Sequence, residues 1–206
     1  MSANGIEEFV GQYLTFVKNC DFVKYNEPYI AKIKCEEKRK NMGEADVIGI
    51  NINDKKLYIC EVTAELQGMG DTNFQKYKKY EDDDENKSKN KFEKNKNVYS
   101  DKFKGFTVEY MLWFPFSPSK ARMSILEKDL NEQGITAYYE ESFFKAIEEL
   151  KTKLSKKTEN LSSPFARFFQ VYGRLQKKYS ANYDVQMSSV KKIIKEDKTL
   201  LKKLSQ

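Results

Sequence analysis

The chain has 206 residues, 39% of them apolar and 14% aromatic, which suits one packed domain, or one domain with a modest extension. No apolar run approaches the roughly 18 residues of a membrane span, and the N-terminal MSANGIEEF lacks the basic flank and apolar stretch of a secretory signal, so a cytoplasmic protein is expected. Histidine is absent and the three cysteines (Cys20, Cys35, Cys60) are widely spaced, which excludes a Ser-His-Asp triad and a Cys-His pair, argues against a cysteine zinc site, and reads as reduced thiols.

Residues 4–18 carry Ile6, Phe9, Val10, Tyr13, Leu14 and Val17 at spacings of three and four, one apolar stripe of a helix. Asn4 suits its N-cap, with Glu7 three residues later as in a capping box. Within 21–37, the alternating YIAKIKC predicts a first strand. ADVIGINI and KKLYICEV then form a hairpin, with Asn53 and Asp54 supplying the turn. Both runs are apolar at nearly every position, as in a central sheet covered on both faces. TNFQKYKKY (72–80) reads as a short helix start, and the nearly apolar-free 81–97 as a mobile loop or solvated helix extension.

FTVEYMLWFPF (106–116) is a strong strand. A helix over 120–133 follows, with Met123, Leu126 and Leu130 inward and Gly134 ending it. ITAYY is a short strand, and ESFFKAIEELKTKL an amphipathic helix with Phe144, Ile147, Leu150 and Leu154 on one side. That order implies parallel strands joined by crossovers. Helices after Pro164 (stripe Phe168, Val171, Tyr172, Leu175) and over 187–204 complete the chain. The reading is an α/β core over 1–158, a mixed central sheet flanked by helices, with a basic helical extension over 159–206 packed on it.

Asp46 and Glu61 interrupt the apolar hairpin runs. With the turn centred on Asn53 and Asp54, Asp46 falls opposite Glu61; a shift by one puts it opposite Thr63, with Glu61 diagonal. In both registers the three share a face, and opposed Cβ atoms lie about 4.5–5.5 Å apart. Two carboxylates there repel each other and lose hydration, which a divalent cation offsets. The plainer alternative is a carboxylate capping a loop and another paired with a lysine.

GEADVIGI (43–50) followed by LYICEVT (57–63) resembles the PD-(D/E)XK nuclease superfamily, the restriction-endonuclease-like fold. The resemblance spans roughly residues 1–150. It implies that Asp46 and Glu61 are the two acidic positions and that they hold Mg²⁺, or Mn²⁺ as a substitute, with the Val62 carbonyl. It matches Glu7 to the glutamate that an N-terminal helix often contributes, with Glu8 as fallback. Thr63 stands at the family's lysine position. Threonine can hydrogen-bond a water but supplies no positive charge. Some members carry the lysine on the following helix, where Lys76 comes first, ahead of Lys78 and Lys79; Gln67 could also reach the site.

The function expected is a divalent-metal-dependent endonuclease hydrolysing DNA phosphodiester bonds, in restriction or repair, with RNA left open. Residues 151–206 hold 14 Lys and Arg against 4 Asp and Glu, whereas 1–150 hold 23 against 27, so the tail suits a polyanion. A solvated lysine-rich surface explains the same charge. The alternative function, favoured by Thr63, is a catalytically inactive nucleic-acid-binding or assembly module of the same fold, and the aromatic C-terminal helices leave a homodimer open.

Overall fold

The computed structural model describes residues 5–31, 41–65, 77, 91–117 and 119–180. They form α1 (Gly5–Phe16), β1 (Phe22–Ala31), β2 (Asn41–Asn51), β3 (Lys56–Val62), α2 (Lys91–Lys102), β4 (Thr107–Trp113), α3 (Lys120–Glu132), β5 (Ile135–Tyr138) and α4 (Glu140–Ser155). A further helix, α5, covers 164–180. Contacts divide the chain into two units, Met1–Leu150 and Lys151–Gln206.

The first unit is built on a five-stranded mixed sheet in the order β1-β2-β3-β4-β5. β1, β2 and β3 are antiparallel neighbours, while β4 and β5 add in parallel. The parallel pairings require crossovers, which the segments carrying α2 and α3 supply. The hairpin turn spans 52–55 and keeps the first of the two predicted registers, with Val47 opposite Cys60 and Asn51 opposite Lys56. Asn51 Oδ1 accepts the Asp54 N–H at 2.9 Å, the local bond that makes asparagine a turn former.

Helices cover both faces. On one, α1 buries Phe9, Val10, Tyr13 and Leu14. Phe9 and Tyr13 meet Trp113 edge-on at 5.9 and 5.1 Å between ring centres, and Trp113 stacks on Tyr138 at 3.8 Å. Two glycines bring α1 close to the sheet. A Cβ at Gly11 would lie 1.9 Å from the Tyr25 hydroxyl, and one at Gly49 would lie 2.8 Å from Cys20 Sγ and 2.9 Å from Leu14 Cδ1. The other face joins Ile48, Leu57, Ile59, Tyr110 and Leu112 of the sheet to Phe92 and Tyr99 of α2 and Met123, Leu126 and Leu130 of α3. Gly134 closes α3 with φ of 68°, the left-handed value its lack of Cβ permits.

Several expectations need correction. The first strand begins at Phe22, before YIAKIKC. Residues 91–97 lie in a helix, one of the two readings given for 81–97, but one that buries Phe92 and Asn95 instead of standing in solvent; residues 81–90 lie outside the described residues. In α4 the inward phenylalanine is Phe143, while Phe144 is 60% exposed; the stripe runs Phe143, Ala146, Leu150, Leu154, at spacings of three and four. Asn4, Lys76, Lys78, Lys79, Gln67, Cys35 and the predicted helix over 187–204 lie outside the described residues.

In the second unit, α5 turns Ala166, Gln170 and Gly173 inward, so the predicted stripe of Phe168, Val171, Tyr172 and Leu175 faces out. The buried Gln170 amide explains the inversion: its Nε2 donates to the Lys157 and Glu159 carbonyls at 2.8 and 2.9 Å, satisfying the loop before the helix. No helix among the described residues is long and apolar enough to cross a membrane.

Candidate active site

Asp46 sits where the sheet is irregular. β1 and β2 pair on either side of Asn26 and Asp46 but not at that step, and Asn26 has φ of 52°. The strands change faces there. Tyr25 points to α1, where it meets Gly11, whereas Tyr29 packs on Tyr99 of α2. On β2, Ala45 and Ile48, three residues apart, both join the α2-side core. Simple alternation along β2 therefore fails at the carboxylate itself.

The β2–β3 ladder ends at Val47 and Cys60, and one step beyond stand Asp46 and Glu61. Asp46 Oδ2 accepts the Val62 N–H at 2.7 Å, so the side chain supplies the acceptor where the ladder stops. Glu61 is 0% exposed. Its Oε1 accepts from Asn95 Nδ2 at 2.8 Å. The remaining oxygens, Asp46 Oδ1 and Glu61 Oε2, both take the Lys91 ammonium, at 3.2 Å from Asp46 and in close contact with Glu61. Lys91 and Asn95 lie four apart on α2 and so share a face.

The electrostatics follow from this geometry. Burial, reinforced by the charge on Asp46, pushes the Glu61 carboxyl well above the usual range, against the pull of Lys91 and Asn95. Burial also works against the Lys91 ammonium, but Glu61 and Asp46 outweigh it and hold Lys91 charged. Two carboxylates and one ammonium leave the centre one positive charge short of balance when all three are ionised.

Thr63, also buried, lies just past β3, with its N–H on the Trp113 carbonyl at 2.8 Å. Its side chain hydrogen-bonds Tyr77, a buried residue whose hydroxyl is held neutral by burial and by the charge of Glu61. Glu7 is partly buried on α1, and its charge acts on Tyr25, on the α1 side of the sheet. The structure thus gathers Asp46, Glu61, Val62 and Thr63 with Lys91, Asn95 and Tyr77.

Neither Lys91 nor Asn95 is singled out by a reading of 81–97 as a mobile loop or solvated helix extension. The available signal was Phe92, Asn95 and Tyr99 at spacings of three and four, a helical face in which asparagine replaces an apolar residue.

Among the described residues, no three His, Cys, Asp or Glu side chains gather as a metal-binding group. An ion here would rest on two carboxylates with main-chain and water oxygens, a hard donor set that suits Mg²⁺ or Mn²⁺. The fit is supported by two converging oxygens, each on a carboxylate anchored at its other oxygen, already holding a cation. No family model matches the chain, and no curated protein or solved structure matches it.

Proposed function

We propose that the chain is a divalent-metal-dependent endonuclease of the restriction-endonuclease-like kind, hydrolysing DNA phosphodiester bonds in restriction or repair. The observation that carries this reading is the convergence of Asp46 Oδ1 and Glu61 Oε2 on the Lys91 ammonium. It supplies a lysine from α2, later in the chain than the hairpin, where Thr63 leaves the usual position without charge.

In this reading Asp46, Glu61 and the Val62 carbonyl hold Mg²⁺ or Mn²⁺. When bound, such an ion supplies a polarised phosphoryl oxygen and a water of lowered pKa. Val62 N–H and Asn95 fix the carboxylates, so the donor oxygens are preorganised. Lys91 steadies charge developing on the phosphate, and the Thr63 hydroxyl, oriented by Tyr77, accepts or donates a hydrogen bond to the attacking water. Glu7, on the α1 side of the sheet, is given no part in this site, and the basic residues of 151–206 are proposed as backbone contacts that add affinity without sequence choice. Lys76 has no part to play if Lys91 supplies the charge.

Incubation of plasmid, linear duplex and single-stranded DNA with the chain and Mg²⁺ or Mn²⁺ tests the reading. Metal-dependent cleavage lost in Asp46→Ala supports it; cleavage undiminished by that change removes the assigned site. One observation favours a second reading, a binding module without hydrolysis: Lys91 already neutralises one carboxylate charge. In that case nucleic-acid binding persists without divalent ions and no metal is taken up.

A further inference from the structure

We propose that Lys91 and the divalent ion occupy the same locus in turn, so that metal binding expels the Lys91 ammonium from between Asp46 and Glu61. This inference rests on the metal-centre reading above and adds an exchange to it.

The geometry carries the argument. Each carboxylate has one oxygen committed to a neutral donor, Val62 N–H for Asp46 and Asn95 Nδ2 for Glu61. Only Asp46 Oδ1 and Glu61 Oε2 face inward together, and both are taken by Lys91 Nζ. An ion bridging those oxygens and the ammonium cannot share one space, and close approach of the two cations is repulsive.

Charge sets the direction of exchange. One ammonium leaves the ionised pair a net −1, whereas a divalent ion balances it. The two carboxylates hold the Lys91 ammonium where it is. Once they are neutralised, the four-carbon stem, with the side chain already 25% exposed, lets the ammonium swing outward. An outward Lys91 stands beside the metal, where an incoming phosphate brings new negative charge. The same side chain would thus keep the buried pair balanced before metal arrives and meet the phosphate afterwards.

Two measurements on the full chain test this. Mn²⁺ binding by calorimetry is compared among the natural chain, Lys91→Met and Glu61→Gln. Exchange predicts that Lys91→Met binds Mn²⁺ on the order of tenfold more tightly than the natural chain, because no ammonium has to be displaced. It also predicts that Glu61→Gln binds weakly or not at all. The second measurement needs no substitution: acylation of Lys91 by an amine-reactive ester, read by peptide mass spectrometry, rises when Mg²⁺ is added to saturation. Equal or weaker Mn²⁺ binding by folded Lys91→Met overturns the exchange. So does Lys91 acylation that stays constant while the natural chain takes up metal. Both results leave the metal centre standing. Absence of metal uptake by the natural chain and Lys91→Met alike overturns the exchange and the nuclease reading together.

Discussion

Asn95 Nδ2 donates to Glu61 Oε1 at 2.8 Å, with both residues 0% exposed. An amide that seals one carboxylate oxygen in the interior is doing structural work, because an unpaired buried acceptor costs about 1–3 kcal/mol. Asn95→Ala is predicted to lower unfolding free energy by about that amount in denaturant titration. The same variant loses the anchor of one donor oxygen, so Mn²⁺ affinity falls about 10–100-fold, as for other supports of metal ligands.

Lys91→Ala leaves two ionisable carboxylates facing each other. Breaking a buried ion pair costs about 3–5 kcal/mol, and the lower end applies because the Lys91 side chain keeps 25% of its surface in water. Thermal unfolding should shift down sharply without metal and recover with Mg²⁺, since the ion takes over the balancing charge. Cleavage should fall about 10²–10³-fold even when metal is saturating, the scale of losing one donor to developing charge.

Gly49→Ala probes the seating of α1 on the sheet. Its Cβ would stand 2.8 Å from Cys20 Sγ and 2.9 Å from Leu14 Cδ1, so something must move. A loss of about 1–3 kcal/mol is predicted from overpacking. Cys20→Ala, which removes the nearest atom, should recover part of it in the double variant, measured as a coupling energy.

Alkaline stability follows from buried tyrosines. Burial raises Tyr25, Tyr29 and Tyr110 from 10 to about 12. For a group raised in the folded state, the stabilisation is complete below the unfolded pKa and is lost as pH rises through the folded one. Stability should therefore decline between pH 10 and about 12, because the unfolded chain releases those protons first. Tyrosinate absorbance should lag an unfolded control at pH 11 and rise together with loss of circular dichroism. Full titration near pH 10 with the fold intact would contradict the assigned burial.

Much of this fold was legible where apolar residues keep their period. The stripe Phe9, Val10, Tyr13 and Leu14 marks α1, and Met123, Leu126 and Leu130 with Gly134 mark α3 and its end. The turn at Asn53 and Asp54 was legible and left two registers open, of which the structure keeps the one that sets Asp46 one step past the ladder beside Glu61. What could not be read has physical causes. α2 places Asn95 in its buried face, so its pattern looks polar until Glu61 is known to need a donor. The change of faces at Asn26 is a left-handed backbone step that alternation does not register. Phe143 and Phe144 are adjacent, and only the phase of α4 on the sheet chooses between them. In α5 the loop carbonyls of Lys157 and Glu159 outrank the aromatic stripe by demanding Gln170.

The most direct test is a crystal structure of the chain grown with Mn²⁺, with anomalous scattering used to find the ion. The account predicts a single strong peak bonded to Asp46 Oδ1 and Glu61 Oε2, with Lys91 turned away from both. Contradiction would be a Mn²⁺-saturated crystal without density between those carboxylates and with Lys91 still bridging them.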